Sequence, residues 1–521
     1  MIDFSVFAGD AMKVVFLLFD SLNRHALTCY EPGAPRTPNF ERLAQRAVVF
    51  DRHFVGSLPC LPARRDIQTG RLNFLHRGWG PLEPFDHSLA DILRGSGVYT
   101  HLVTDHYHYF EDGGAGFHGR YNSWEFIRGQ EKDKWRPAIA PNVAGYAERF
   151  HERQHDFSPD INSKLPYYVN REYLEARGDF PLAQCFASGN AFLDDHHAAA
   201  DWLLHLECFD PHEPFFAPER FLRDHPEALG GKIFDWPSYG RSDVDAGLLK
   251  HLRGNYHALV GACDHYLGTL LDTFDRHDLW QDTWIILSTD HGLLLGEKEF
   301  LGKNRPPFYN EVAHIPLLIA PPRQTGIAPR RAQALSQTTD LMPTMLALFG
   351  KDPPAEVTGR SLLPALRGDV PLHPDGCIFG QFGAAINFTD GRHAYFLYPR
   401  EPFDADLYQY TLMPAHMRTY FEASEFDGAE VVRSLPFAQG FPVWRLPVRQ
   451  DAKANMTRRY PLLDARDALF DLAVDPAQRA PLDDPREAAR IRALIATLLA
   501  RNDAPAELFA RYGLAAQQAA A

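Results

Sequence analysis

The sequence lacks three features that would assign it to a specialised class of protein. It has no positive charge excess, because 53 basic and 67 acidic residues give a formal net charge of −14, so we expect no nucleic-acid partner. No run approaches the roughly 20 apolar residues of a membrane span, and the N-terminus has no basic segment followed by an apolar one. The six cysteines form no CxxC pair, which argues against a disulfide framework or a zinc ribbon. These absences predict an acidic, globular, cytoplasmic protein without a membrane partner.

Apolar runs alternate with amphipathic segments along most of the chain. Four continuous apolar runs are typical of buried parallel strands: residues 14–19, 202–207, 284–289 and 315–320. Three amphipathic stretches predict helices: residues 37–47, 86–95 and 246–277. The pattern predicts an α/β fold with a large mixed, mostly parallel sheet sandwiched by helices.

The pattern changes after residue 372. Short strand-like segments occur at residues 386–399 and 443–447, and a helical pattern follows at residues 485–501. We therefore predict a catalytic α/β domain at residues 1–372 and a smaller C-terminal α+β domain at residues 373–521.

Three side chains that can bind metal follow predicted strands. Asp20 comes directly after the first strand, and Asp290 and His291 follow the strand at residues 284–289. In open α/β sheets, ligand groups lie at the carboxyl ends of the strands, and two carboxylates with an imidazole suit a divalent metal ion. Taken alone, the Asp-His-Gly tripeptide also suits a turn in which the aspartate caps the backbone.

A cysteine lies in a short motif with fixed positions. Residues 60–64 read Cys-Leu-Pro-Ala-Arg, and Thr69-Gly70 follow. A single cysteine is most often a small buried apolar residue, so Cys60 and Arg64 need further support before a chemical role is assigned to them.

That support comes from a resemblance to the sulfatases, the type I, formylglycine-dependent family of the alkaline phosphatase superfamily. In that family the C-x-P-x-R segment marks the cysteine that a maturation enzyme converts to formylglycine. Further segments similar to the family occur in the family's order: residues 19–20, 37–44 (TPNFERLA), 210–215 (DPHEPF), 288–292 (STDHG), 296–297, 301–303 (LGK), 340–344, 359–363 (GRSLL) and 469–472 (LFDL). The resemblance therefore spans about residues 13 to 480 and implies the alkaline-phosphatase-like fold.

The resemblance implies a metal-dependent reaction at residue 60. Asp20, Asp290, His291 and Cys60, converted to formylglycine, would bind one divalent metal ion. A metal lowers the pKa of a bound hydroxyl and creates a nucleophile at neutral pH. By resemblance, one hydroxyl of the hydrated aldehyde attacks the ester, and the other then collapses to the aldehyde and expels the bound oxyanion.

Three further residues receive catalytic roles from the resemblance. Arg64 would bind the formylglycine diol, Lys303 would contact the ester oxygens or the leaving group, and His212 would protonate the leaving oxygen. Lys303 is one of only ten lysines among 53 basic residues, which indicates that a compact ammonium is required there. Taken alone, these residues also suit a salt bridge, a solvated surface lysine and a structural histidine, respectively.

Three departures from the family pattern concern the metal and the substrate. Asp20 is followed by Ser21 where many sulfatases have a second aspartate, and His291 stands where many have asparagine. The site thus loses a hard oxygen ligand and gains a nitrogen, so calcium is less assured and manganese or zinc becomes credible. This version is similar to phosphonate monoester hydrolases and choline sulfatases of the same superfamily.

The third departure is that residues 104–109 contain no lysine, although most sulfatases place a lysine and a histidine there. We predict that His106 or His108 contacts the substrate instead. Asp105 would repel an anionic ester unless it pairs with a histidine or contacts a cationic substrate group. Core packing is an alternative role for this aromatic segment.

The leading function is a sulfuric ester hydrolase that acts on a small-molecule sulfate ester. Phosphonate monoesters or phosphodiesters are the alternative, because they also present a tetrahedral centre with one ester leaving group. An inactive binder of sulfated ligands and a hydrolase with a cysteine nucleophile are the remaining hypotheses. A formylglycine-generating enzyme would be a maturation partner. The aromatic segment at residues 407–442 predicts either a cover over the site or, as we favour, a homo-oligomer contact.

Overall fold

The computed structural model describes residues 12–160, 162–305, 307–400, 407–448 and 463–515. The strands are β1 (Lys13–Phe19), β2 (Val48–Phe50), β3 (His53–Phe54), β4 (Ser57–Leu58), β5 (Tyr99–Thr104), β6 (Ser123–Phe126), β7 (Trp202–Cys208), β8 (Gly240–Arg241), β9 (Thr283–Thr289), β10 (Leu294–Leu295), β11 (Phe300–Gly302), β12 (Leu317–Ala320), β13 (Arg330–Ala332), β14 (Ser336–Gln337), β15 (Cys377–Gln381), β16 (Ile386–Thr389), β17 (His393–Leu397), β18 (Tyr408–Thr411), β19 (Glu430–Val432), β20 (Val443–Pro447) and β21 (Ala468–Asp471). The α-helices are α1 (Pro38–Ala44), α2 (Cys60–Thr69), α3 (Leu89–Gly95), α4 (Val143–Arg149), α5 (Leu165–Arg177), α6 (Pro181–His196), α7 (Glu219–Leu222), α8 (Ala246–Arg276), α9 (Asn310–Ala313), α10 (Leu341–Leu348), α11 (Leu363–Arg367), α12 (Pro485–Arg501) and α13 (Ala506–Arg511).

The central sheet has eight strands in the order β13-β2-β12-β9-β1-β7-β5-β6. β1 lies in its middle and pairs in parallel with β7 and β9, whereas β12 runs antiparallel to β9. The sheet is therefore mixed and mostly parallel, as predicted. The predicted strands at residues 14–19, 202–207 and 284–289 agree with β1, β7 and β9 to within one residue at each end.

Helices cover both faces of this sheet. Val15, Leu17 and Phe19 of β1 pack into one core with α1, α6 and α8, and Val14, Phe16 and Leu18 pack into the other with α3, α10 and α11. Successive side chains of a strand point to opposite faces, so a strand buried on both sides is apolar throughout. The predicted helices are present, with α1 and α3 shorter than the patterns that indicated them.

The C-terminal part contributes a five-stranded sheet in the order β21-β17-β16-β15-β4 and a three-stranded sheet in the order β18-β20-β19. The predicted antiparallel strands and the helix α12 are all present. The outermost strand of the first sheet, β4, comes from the N-terminal part and directly precedes α2. The sheet thus anchors α2, the helix that begins at Cys60 of the motif at residues 60–64. The domain boundary at residue 372 stays a prediction.

Two findings concern the predicted cellular location of the protein. No helix among the described residues has the length and apolar content of a membrane span. All six cysteines are free. A cytoplasmic location stays a prediction.

Candidate active site

Three elements bring the predicted metal ligands together. Asp20 follows β1, Asp290 and His291 follow the neighbouring β9, and Cys60 is the first residue of α2. One ligand atom from each of these four residues lies within 4.8 Å of the others, and all four side chains are buried. The sheet register explains why these residues are close, because Phe19 and Thr289, the last residues of β1 and β9, are paired.

Arg64 is the central cation of the site. Its guanidinium donates to Asp20 Oδ2 at 2.9 Å, to Asp290 Oδ2 at 2.6 Å and to Glu207 Oε1 at 2.5 Å. It also donates to the carbonyl of Cys60, one helical turn away, at 3.1 Å. The arginine therefore fixes three buried carboxylates relative to residue 60. Glu207, near the end of β7, was not predicted, although a carboxylate inside an otherwise apolar strand was a signal for it.

His291 is oriented as a ligand. Its Nδ1 lies 3.0 Å from the carbonyl of Gly292, which requires the proton on that nitrogen. Nε2 then presents its lone pair 3.4 Å from Cys60 Sγ and 3.3 Å from Asp290 Oδ2. Burial lowers the pKa of His291, so the ring is neutral, as a metal ligand must be. The donor set thus fits one divalent cation held by two carboxylates, an imidazole and residue 60.

The surroundings of the site shift the pKa values of Asp20 and of the Cys60 thiol in opposite directions. Burial opposes ionisation of Asp20, but the positive charges of Arg64 and Lys303 hold the pKa of its carboxyl well below the usual range. Burial and the charge of Asp20 raise the pKa of the Cys60 thiol well above its ordinary value. A thiolate is the reactive form of cysteine, so an unmodified Cys60 is a poor nucleophile in this setting.

Lys303 reaches the same centre from β11. Its Nζ donates to Ser21 Oγ at 2.8 Å and lies 3.7 Å from Asp20 Oδ1, while Ser21 Oγ donates to that same Asp20 oxygen at 2.7 Å. The serine that replaces the second aspartate of many sulfatases therefore links the lysine to the metal ligand. Gly302 directs the lysine inward with φ +91°, and the Tyr239 ring, 2.4 Å from the position of a Cβ, leaves no space for a side chain there.

His212 approaches the same Asp20 oxygen as Lys303. Its Nδ1 donates to the carbonyl of Glu213, so Nε2 faces the site, 4.0 Å from Asp20 Oδ1. Burial and then Lys303 lower the pKa of His212 to about 3. The resting imidazole is therefore neutral.

The two histidines predicted to bind substrate occupy different environments. His106 is fully buried, its Nδ1 lies 3.8 Å from Asp20 Oδ2, and neither ring nitrogen has a hydrogen-bond partner. His108 Nδ1 lies 2.5 Å from Glu111 Oε2, and its Nε2 lies 3.4 Å from Glu131 Oε2. The ring nitrogens of His106 therefore have no partner within the protein, whereas both nitrogens of His108 face carboxylates, and a contact of either histidine with substrate stays a prediction.

A hydrogen-bonded ring of side chains surrounds His108, and sequence reasoning missed it apart from the histidine. Arg418 donates to Glu111 at 2.7 Å and to the Tyr107 hydroxyl at 2.8 Å, and Tyr107 donates to Glu131 at 2.8 Å. We call these five residues the His108 ring. Arg418 belongs to the segment between β18 and β19, so part of the predicted insertion reaches the wall of the site.

Asp105 has partners that the sequence did not indicate. It accepts hydrogen bonds from the backbone N–H of Phe209 at 2.6 Å and from Gln130 at 2.9 Å. Burial raises its pKa to about 7. The side chain therefore ties the segment that carries Gln130 to the segment that follows β7.

The fold and this donor set define a hydrolase of the alkaline phosphatase superfamily. A family model described as Sulfatase matches residues 13–351. This is more than half of the chain, which therefore belongs to the Sulfatase family.

Three similar proteins show the range of this likeness. The chain is 26% identical over 395 residues to the multifunctional alkaline phosphatase superfamily protein PehA of Trinickia caryophylli, with 64% of this chain and 71% of that protein covered. It is 25% identical over 393 residues to the choline-sulfatase of Rhizobium meliloti (strain 1021), with 68% and 72% covered. A crystal structure of the phosphonate monoester hydrolase of Agrobacterium radiobacter has the same fold, with a TM-score of 0.58, 19% identity and 94% and 95% of the two chains covered.

Proposed function

We propose that this protein is a formylglycine-dependent sulfuric ester hydrolase that converts a sulfate monoester into an alcohol and sulfate. The observation that carries this proposal is the convergence of Asp20, Asp290 and His291 on residue 60 within 4.8 Å. Formylglycine at position 60 would supply a hydroxyl nucleophile, and a divalent cation, such as calcium or manganese, with zinc as a further candidate, would lower the pKa of that hydroxyl.

The chain's own residues have separate tasks in this reaction. Arg64 holds Asp20 and Asp290 apart at fixed positions and keeps their charges compensated. Lys303 remains an ammonium, because Asp20 and Asp290 raise its pKa despite its burial, and it stabilises negative charge on the ester oxygens. His106 offers a second contact to those oxygens through nitrogens that have no partner within the protein.

His212 is the proposed proton donor to the leaving oxygen. Its Nδ1 proton is held by the Glu213 carbonyl, so a proton delivered to the alcohol comes from Nε2. Burial and Lys303 keep the pKa of the resting ring at about 3. An anionic ester raises that pKa, and the proton is therefore acquired with the substrate and given up to the leaving group.

The test is a rate panel on protein that has been produced together with a formylglycine-generating enzyme. An aryl sulfate, an aryl phosphonate monoester and an aryl phosphodiester with one shared leaving group are compared, with Cys60→Ala as the matched variant. We expect the sulfate to lead by orders of magnitude and the variant to lose the reaction. A lead for the phosphonate or the diester would overturn the sulfatase assignment.

A phosphonate monoester or phosphodiester hydrolase is the second candidate. His291 as a nitrogen ligand and Ser21 in place of a second carboxylate favour it, because they reduce the negative charge of the ligand set. The same panel distinguishes it from a sulfatase.

Two other hypotheses lose support from the site. An inactive binder would be expected to lack part of the constellation, yet the predicted residues converge. A cysteine nucleophile requires a thiolate, and burial and Asp20 raise the thiol pKa. Wild-type hydrolysis by Cys60→Ala would rule out both the formylglycine and the cysteine mechanism.

The proposed partners follow from these assignments. A formylglycine-generating enzyme would modify Cys60 during maturation. A homo-oligomer is supported by exposed apolar side chains of the 407–442 segment, namely Tyr420, Val431 and Phe441. We also propose that the protein acts in the cytoplasm.

A further inference from the structure

Ser21 has a backbone conformation that is uncommon for a residue with a side chain. Its φ is 61°, in the left-handed region that glycine occupies far more readily. The residue directly follows Asp20 and is fully buried. Such a conformation costs free energy and persists only where the surroundings fix it, so the contacts that hold Ser21 in place indicate its role.

Two hydrogen bonds fix the backbone of Ser21. Its N–H donates to Asp290 Oδ1 at 3.0 Å, and its carbonyl accepts from the Tyr256 hydroxyl at 3.0 Å. Asp290 follows β9, and Tyr256 belongs to α8. The position of the Ser21 hydroxyl is therefore set by two elements outside its own strand.

The hydroxyl of Ser21 lies between a cation and a carboxylate. Its single proton is donated to Asp20 Oδ1 at 2.7 Å, and its oxygen accepts from Lys303 Nζ at 2.8 Å. Lys303 Nζ lies 3.7 Å from the same Asp20 oxygen, which is longer than the roughly 2.7–2.9 Å of an ammonium–carboxylate hydrogen bond. The serine hydroxyl therefore connects the ammonium and the carboxylate, which are not paired directly.

This arrangement matters for a metal ion, because an ammonium and a metal ion compete for the same carboxylate oxygen. The other oxygen of Asp20, Oδ2, already accepts from Arg64. If Lys303 donated directly to Oδ1, both oxygens of this candidate ligand would accept a hydrogen bond from a cation. The serine hydroxyl is neutral, so its hydrogen bond to Oδ1 does not offset the charge of the carboxylate.

We infer that Ser21 is a positioning residue that keeps the Lys303 ammonium from pairing directly with Asp20. Asp20 is thereby left to bind a metal ion while the lysine stays next to the centre. The inference rests on the metal site of the proposed function and adds to it a role for the residue that replaces the second aspartate of many sulfatases. Removal of the hydroxyl should let Lys303 move onto Asp20 and should weaken metal binding.

Manganese titrations test this inference on protein produced together with a formylglycine-generating enzyme. Ser21→Gly removes the hydroxyl without adding strain, because glycine suits the left-handed conformation. It should raise the Kd of manganese about tenfold, the lower end of the range for residues that orient metal ligands. In the Ser21→Gly protein, Lys303→Met should then restore binding, because no ammonium remains to pair with Asp20. The gain from Lys303→Met should therefore be about tenfold larger in the Ser21→Gly protein than in the wild-type protein.

Ser288→Ala is the matched control, because it removes a buried hydroxyl near the end of β9 that donates to the Pro316 carbonyl and not to a candidate metal ligand. Its Kd for manganese should stay at the wild-type value. An equal gain from Lys303→Met in the two backgrounds would overturn the inference, because Ser21 would then act only as a hydrogen-bond donor to Asp20. An unchanged Kd in Ser21→Gly would overturn it as well.

Crystal structures of the wild-type and Ser21→Gly proteins, both grown without divalent cations, separate this inference from the proposed function. In the variant, the distance from Lys303 Nζ to Asp20 Oδ1 should shorten from 3.7 Å to about 2.8 Å. An unchanged distance would contradict the role of Ser21. A wild-type protein that binds no divalent cation would instead contradict the metal site of the proposed function, and the distance in the two crystals would still test the inference about Lys303.

Discussion

The two sides of the active site are built in different ways. The first side, the candidate metal centre, consists of residues at the ends of β1 and β9 and at the start of α2, and one arginine holds its carboxylates. The second side consists of residues outside the central sheet, and its His108 ring includes Arg418, more than 300 positions away in sequence from Tyr107. The comparison teaches that sheet register fixes the first side, whereas the second depends on contacts between distant loops.

The largest expected effect follows from Arg64→Gln. The substitution leaves three buried carboxylates without their cation, so the free energy of unfolding should fall by about 3–5 kcal/mol, and activity should be lost. Because a divalent cation offsets the same charges, added manganese or calcium should raise the melting temperature more in the variant than in the wild-type protein.

Urea denaturation measures the change in the free energy of unfolding, and thermal denaturation with and without metal measures the shift in melting temperature. Arg65→Gln is the matched control, because Arg65 is a buried neighbour on α2 whose salt bridge is to Asp86 and not to the candidate metal ligands. It should be destabilised without an added response to metal. Equal metal responses in the two variants would contradict the role assigned to Arg64.

Arg418→Gln should affect the other side of the site. Loss of its hydrogen bonds to Glu111 and Tyr107 should lower kcat/KM by about tenfold, the equivalent of one charged hydrogen bond. The dissociation constant of the metal should not change. Arg445→Gln, on β20 with an exposed partner Glu430, should leave kcat/KM unchanged. A change in metal affinity in Arg418→Gln would show that the two sides are not independent.

The pH profile tests the His108 ring more finely. Burial opposes protonation of His108, but Glu111 and Glu131 raise its pKa. The imidazolium–carboxylate contacts are thus complete at low pH and are lost as pH rises through the raised pKa. Glu111→Gln should lower that pKa and move the alkaline limb of log kcat/KM to lower pH by about one unit. Superimposable profiles would contradict this role of the ring.

The smallest expected effect concerns the outer face of the 407–442 segment. Tyr420→Ser should change the stability of the monomer by about 0.5 kcal/mol or less and leave the rates unchanged. It should weaken self-association, because Tyr420 is 70% exposed. Gel filtration at several concentrations measures this, with the 59.0 kDa chain as the monomer reference. Elution of the wild-type protein as a clean monomer would end the oligomer proposal.

The difference between the two sides of the active site also explains which residues could be predicted from the sequence. Asp20 follows β1, and Asp290 and His291 follow β9. Both strands could be predicted from their apolar runs, and the three residues are close because the two strands are neighbours in the sheet. Cys60, His212 and Lys303 were found because they lie in family motifs. Ser21 adjoins one of these residues, but its hydrogen bond to Lys303 depends on a segment that is distant in the chain. Arg418 has no local pattern, because its role arises from a long-range contact.

The helix α2 has a consequence for the order of events during biosynthesis. Every residue of α2 is buried, and Cys60 is 3% exposed. Another enzyme therefore cannot reach the thiol once this helix has packed. If Cys60 is modified, the modification competes in time with folding, and slow delivery of the modifying enzyme yields a stable chain that is permanently inactive. The fraction of active molecules in a preparation would then depend on the rate of Cys60 modification relative to the rate of folding, and not on a later loss of activity.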